Sequence, residues 1–194
     1  MKTRHFAVAG LTAAMLTACA ATPTAEQKAA YTNDARATAG LLAQTLGGEL
    51  KAAIKESGPA NAVSFCKERA PKIAADVSAQ KGVSVRRTTF KSRNPKSAPD
   101  AWEAAVLKDF EQRLAQGAKP TELEYAEVVS DANGKTHRYM KALVIQEPCM
   151  TCHGTKETIP AEVQAKLASE YPNDQATGYL PNMLRGAISI KKPL

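Results

Sequence analysis

The sequence predicts an α+β domain: an antiparallel sheet of about four strands packed by helices, with a long helix at its amino-terminal end. Three observations carry that expectation. Residues 26–56 are rich in alanine and leucine and contain no proline, a composition that favours a long helix. "ELEYAEVVS" and "HRYMKALVI" flank "DANGK", and Asn-Gly between two such stretches is a strong hairpin signal. "VSVRRTTF" alternates valine with β-branched residues as a strand does, and "GAISIKK" supplies a last strand near the carboxyl end.

In chain order, the first features precede the domain. Lys2, Arg4 and His5 form a basic head, and Phe6 to Leu16 is an apolar run of about eleven residues. A membrane span needs about twenty, so the run is expected to be the core of a secretory signal. It ends Leu16-Thr17-Ala18-Cys19, which resembles the bacterial lipoprotein cleavage box. That resemblance implies a signal peptide over residues 1–18, with Cys19 lipidated as the new amino terminus. An ordinary signal cut at the nearby small residues is the alternative. Ala20 stands where an aspartate would direct retention at the inner membrane. The expected location is therefore the periplasm or cell envelope, by a lipid anchor in a membrane, the outer one favoured. Residues 19–26 are expected to be a tether, and residues 27–194 a single domain large enough to bury a core.

Gly58 and Pro59 should stop the first helix. Val63, Cys66, Ala70, Ile73 and Val77 then recur at three- and four-residue spacings, one face of a second helical stretch. Pro71 is expected to kink or restart it. Asp100 and Glu103 form a capping box for a helix carrying Trp102, Val106, Phe110 and Leu114, and Gly117 ends it. A further helix is expected over about residues 160–171. Without Lys2 and Arg4, 24 basic residues face 19 acidic ones, a net of +5. That modest excess on a secreted chain argues against a nucleic-acid partner. One run, "KGVSVRRTTFKSRNPK", has six basic residues and no acidic one, either a solvated face or a site for anions.

The chemistry centres on "EPCMTCHG", residues 147–154. Cys149-Met150-Thr151-Cys152-His153 is Cys-x-x-Cys-His, the sequence that attaches c-type haem. On a helical turn, residues three apart project from nearly one side, so both thiols can reach the vinyl groups along one porphyrin edge. The next residue is turned about 100° further, which can bring the imidazole to the iron. A thioredoxin-like pair would need a long following helix in a βαβ setting, and Gly154 argues against that. A zinc site drawn from Cys66, Cys149, Cys152 and His153, or a structural disulfide, are the remaining alternatives. Cys66 is then an unpaired thiol, either a small core residue or a second axial ligand, with Met140, Met183 and His137 as rivals. Haem also brings two propionates, for which Arg87 and Arg93 are candidate partners. Strand alternation puts Arg86 and Arg87 on opposite faces, so only one should point inward, and Arg87 is favoured.

The chain resembles the Tll-type haem domains, a family of secreted c-type haem proteins whose fold resembles PAS sensor modules. The resemblance runs through "NAVSFCKERAPKIA", "RRTTFKSRNPKSAPDAWE", "CMTCHG", "YPNDQATGY" and "LRGAISI". It implies one haem on Cys149 and Cys152, with iron held by His153 and by Cys66. It departs at Ser97, where asparagine is expected, and at Asn182-Met183, which replace a glycine turn. A six-coordinate His/Cys iron implies redox sensing or electron transfer more than turnover. The alternative is a gas- or peroxide-reactive haem enzyme with a labile Cys66. Family members are often joined to kinase or cyclase outputs. None follows here, so a separate, unknown redox or signalling protein is the expected partner.

Overall fold

The structure is a computed structural model that describes residues 22–132 and 134–194. Cys19 and the expected signal lie outside the described residues. The first helix, α1 (Ala25–Lys81), is fixed at its start by a reciprocal cap. Thr24 Oγ1 accepts from the Gln27 N–H at 3.2 Å, and Gln27 Oε1 accepts from the Thr24 N–H at 2.9 Å. That box satisfies two otherwise orphaned donors, and Ala25 and Glu26, expected in the tether, are helical.

Gly58 breaks α1 as the sequence predicted, with φ 80° and ψ 167°, a backbone state open to glycine and to few other residues. Pro71 does not break it: helical dihedrals run past it to Lys81. Proline's φ already suits a helix, and its cost is a missing donor and a crowded preceding turn. Ala70 and Ile73, each 1% exposed, anchor the chain on both sides of it, and that burial offsets the cost.

The strands are β1 (Ser84–Thr88), β2 (Glu124–Asp131), β3 (Gly134–Val144) and β4 (Leu184–Pro193). They form one antiparallel sheet in the order β1-β4-β3-β2, so the last strand enters between the first and the third. The expected hairpin joins β2 to β3, with Asp131 paired to Gly134. The capped helix α2 (Ala101–Ala115) covers one face, and α1 covers the other. Strand alternation sorts the core accordingly. Tyr139, Ile188 and Ile190 pack with Leu42, Ile73 and Val77 of α1, while Met140 and Ala187 pack with Leu107 and Phe110 of α2. A third cluster joins the later part of α1, through Val63, to Val163 and Leu167 of the helix over Ala161–Glu170. None of the described helices is long and apolar enough to cross a membrane.

Gly186 marks a point of close approach. It has φ 149°, and a Cβ there would collide with the Thr88 carbonyl. Beside it, the β3–β4 register shifts at Leu143/Val144.

Candidate functional site

The motif follows β3 directly. A 3-10 turn over Glu147–Cys149 has Pro148 as its second residue, and a single helical turn, α3 (Met150–His153), follows. With α3 placed, Ala161–Glu170 is α4. Gly154 ends the turn because a side chain there would collide with Thr158 Oγ1 and the Met150 carbonyl.

A later segment, residues 174–179, straps the motif in place. The carbonyl of Cys152 accepts from Arg93 Nη2 at 2.6 Å. That of His153 accepts from the Tyr179 N–H at 3.0 Å, and that of Gly154 from the Gly178 N–H at 2.7 Å. Three successive carbonyls are therefore held. Arg93 is itself fixed by Asp174, whose Oδ2 lies 3.0 Å from Nε, and both side chains are about nine-tenths buried.

The same strap orients His153. Its Nδ1 lies 2.7 Å from the Ala176 carbonyl. A carbonyl only accepts, so Nδ1 carries the proton and Nε2 keeps its lone pair. Burial, then Arg93 and Arg185, push the His153 pKa down to about 3, against the hydrogen bond to Ala176. A neutral imidazole fixed by a carbonyl on its far nitrogen is the state in which histidine binds metals.

His153, Cys66, Tyr171, Arg87, Arg93 and Arg185 line one cleft. The cleft has a volume of about 120 Å³. Cys66 projects from α1 into this cleft; burial pushes its thiol pKa up, against Arg87 and Arg93. Burial also raises Cys152, with Arg93 opposing. Cys66, Cys149 and Cys152 are all free thiols. Among the described residues, no three His, Cys, Asp or Glu side chains are gathered as a bare metal ion requires.

The rival ligands lie elsewhere. His137 is 2% exposed, with its Nε2 3.2 Å from Thr32 Oγ1 and its ring beside Tyr31. Met140 is fully buried against α2. Met183 is exposed, and its Sδ accepts from the Leu180 N–H.

The arginines separate as the strand alternation requires. Arg86 turns toward α2 and donates to the carbonyls of Lys96 and Ala98. Arg87, opposite Ile188, faces the cleft. Burial lowers its pKa, and Cys66 and Tyr171 raise it. Arg93 also reaches the cleft, but its guanidinium is engaged by Asp174 and two carbonyls. Arg185 was not anticipated. It lines the cleft and donates to Thr89 Oγ1 at 3.0 Å. Its signal lay in "LRGAISI", but only the pairing of β4 with β1 brings it to Arg87.

A comparison with curated proteins finds no match. Among solved structures, the chain is similar to the cyanobacterial heme-protein Tll0287 at 22% identity and a TM-score of 0.60, over 88% of this chain and 97% of that one. At that identity the likeness speaks for the fold: four antiparallel strands and a long first helix. The sequence profile of the Tll0287-like family matches residues 15–193. The chain belongs to the Tll0287-like family.

Proposed function

We propose that the chain carries one haem c, attached through Cys149 and Cys152 and ligated by His153 Nε2 and Cys66 Sγ, and serves redox sensing or electron transfer in the cell envelope. The observation that supports this best is the convergence of Cys66 and His153 on one cleft that none of their rivals lines. The similar solved protein is described as a heme-protein, which favours the same cofactor. Bound there, the group supplies a one-electron ferric/ferrous couple.

The chain's own residues do the rest. Ala176 holds the imidazole by its Nδ1–H, so Nε2 is presented as a neutral donor. Cys66 supplies sulfur, and the metal's charge would deprotonate it. The half-buried Arg87 side chain has no hydrogen-bond or carboxylate partner among the described residues, and a partly desolvated cation favours an anion beside it. A propionate meets that need. Arg93, occupied by Asp174, is the poorer candidate, and Arg185 takes its place beside Arg87.

Attachment is testable in a host with haem-attachment machinery. Cys149→Ala or Cys152→Ala should leave haem at least partly extractable by acidic organic solvent, whereas the wild-type chain should retain it. Stoichiometric zinc without haem absorbance in the native protein would end this reading.

The envelope location rests on "LTAC" at residues 16–19, and we place a lipid on Cys19. Labelled palmitate should enter the wild-type chain and not Cys19→Ala. Equal labelling of both would remove the anchor from the proposal.

A further inference from the structure

The chain enters the sheet at one end and lines the cleft at the other. Thr22, just ahead of the cap of α1, accepts at its Oγ1 from Lys135 Nζ in the β2–β3 hairpin at 3.1 Å. Tyr31 and Thr32 of α1 then reach His137 of β3, and Lys192 of β4 sits 4.7 Å over the Tyr31 ring. The Leu194 N–H donates to the Lys135 carbonyl at 2.9 Å. The later half of α1 finishes at this end too, because Ser84, just past it, pairs with Lys191.

The cleft is at the opposite end. Thr88 closes β1, Leu143 lies near the close of β3, and Arg185 to Ala187 open β4, and all of them line it. Two elements measure the separation. From Lys135 to Leu143, β3 advances eight residues, about 27 Å at roughly 3.4 Å each. From Lys81 back to Cys66, α1 covers fifteen residues, about 22 Å at about 1.5 Å each.

The length of chain ahead of Thr22 decides which end is held. Cys19 precedes Thr22 by three residues, and three residues span at most about 11 Å. A lipid on Cys19 therefore stays close to the hairpin end and cannot reach the cleft. A tether that short also leaves the domain little freedom to turn its far end to the membrane. The held end offers apolar surface: Ala79, Val83 and Pro193 line a shallow depression, and Leu194, next in sequence, is exposed.

We infer that this end of the sheet, with the start of α1, the β2–β3 hairpin and the close of β4, faces the bilayer and holds the cleft on the order of 20–25 Å above it. The inference rests on the lipid and the haem of the proposed function. It selects the partner. Electron carriers dissolved in water reach the cleft, and carriers dissolved in the lipid do not.

The test uses the lipidated, haem-loaded chain on vesicles of phosphatidylethanolamine and phosphatidylglycerol, with the same chain in detergent as reference. A bilayer-impermeant acetylating reagent, read by mass spectrometry, should modify Lys28, Lys135 and Lys192 several-fold more slowly on the vesicles. Lys67, Lys91 and Lys156, toward the cleft, should react alike in both. Reduced flavin mononucleotide in the water should give one electron to each ferric iron, itself being oxidised, at similar rates on vesicles and in detergent. The same flavin carrying an acyl chain, and so confined to the bilayer, should be several-fold slower on vesicles. Inserting about twenty Gly/Ser residues after Ala21, with a span of about 25 Å, should restore that rate. Protection absent at Lys28, Lys135 and Lys192, protection shifted to Lys67, Lys91 and Lys156, or equal rates for the two flavins on vesicles would overturn the orientation alone. A chain that does not partition onto vesicles would overturn the lipid anchor instead, and one with no haem absorbance would overturn the proposed function.

Discussion

Cys66→Ser is expected to change the ferric spectrum and raise the midpoint potential by on the order of 100 mV, a fraction of the roughly 0.8 V that axial ligands span. A thiolate is an anionic donor that stabilises ferric over ferrous iron, and a serine hydroxyl is a neutral one. The structure gives the substitution its force, because Cys66 shares the cleft with His153. Covalent haem should survive, since Cys149 and Cys152 are untouched. Met183→Ala is the control: its sulfur is exposed and lies outside that cleft, so spectrum and potential should stay as they were. The measurement is a redox titration with the ferric electron paramagnetic resonance spectrum beside it. If Cys66→Ser matches wild type in both, the thiol is core packing alone. Carbon monoxide separates the two functional classes in the same samples. Slow or absent binding to the reduced protein fits a six-coordinate sensor or carrier, and rapid binding fits an enzyme whose thiolate leaves on reduction.

Asp174→Ala is expected to destabilise the domain by about 3 kcal/mol, because it leaves the Arg93 guanidinium buried without its counter-charge. For a domain of this size that corresponds to a fall of roughly 10 °C in melting temperature. The loss should not stop at stability. Arg93 also holds the Cys152 carbonyl, and Asp174 Oδ1 accepts from the Ala176 N–H at 2.8 Å. The carbonyl that orients His153 therefore loosens with the pair. Thermal unfolding followed by circular dichroism checks the first part, and heterogeneity in the ferric spectrum checks the second. A melting temperature within about 2 °C of wild type would show that the pair contributes no more than an exposed one does.

What the sequence made legible was local. The Asp100/Glu103 box, the Asn-Gly hairpin and the Pro148–Gly154 turn each depend on residues a few positions apart, and each is present as expected. Cys66 was placed on a buried helix face by its spacing from Val63, Ala70 and Ile73, and the helix does carry it into the domain interior. The rest depended on contacts distant in sequence. Nothing near His153 announces Ala176 as the acceptor for its Nδ1, 23 residues away. Arg185 reaches the cleft because β4 enters between β1 and β3, an order that strand patterns do not encode. Arg93 stood as a second candidate beside Arg87 because its ion-pair partner lies 81 residues on. Pro71 does not restart the helix, for a related reason: a propensity speaks for an isolated helix, while this one is anchored by core residues on either side.

The strap over residues 174–179 also sets an order of events. The chain is synthesised from its amino end, so Cys149, Cys152 and His153 emerge before Asp174, which fixes Arg93, and before Gly178 and Tyr179, which hold the Gly154 and His153 carbonyls. Tyr179 follows Cys152 by about 27 residues, on the order of 1–5 s at a synthesis rate of about 5–20 residues per second. During that interval both thiols sit on an open, unclamped turn. Closing the strap ends it, because Asp174, Gly178 and Tyr179 all lie in the last sixth of the chain. Any modification of the two cysteines thus meets two different substrates, an accessible nascent turn and later a fastened one, and the ratio of their rates is a property written into how far downstream the strap was placed.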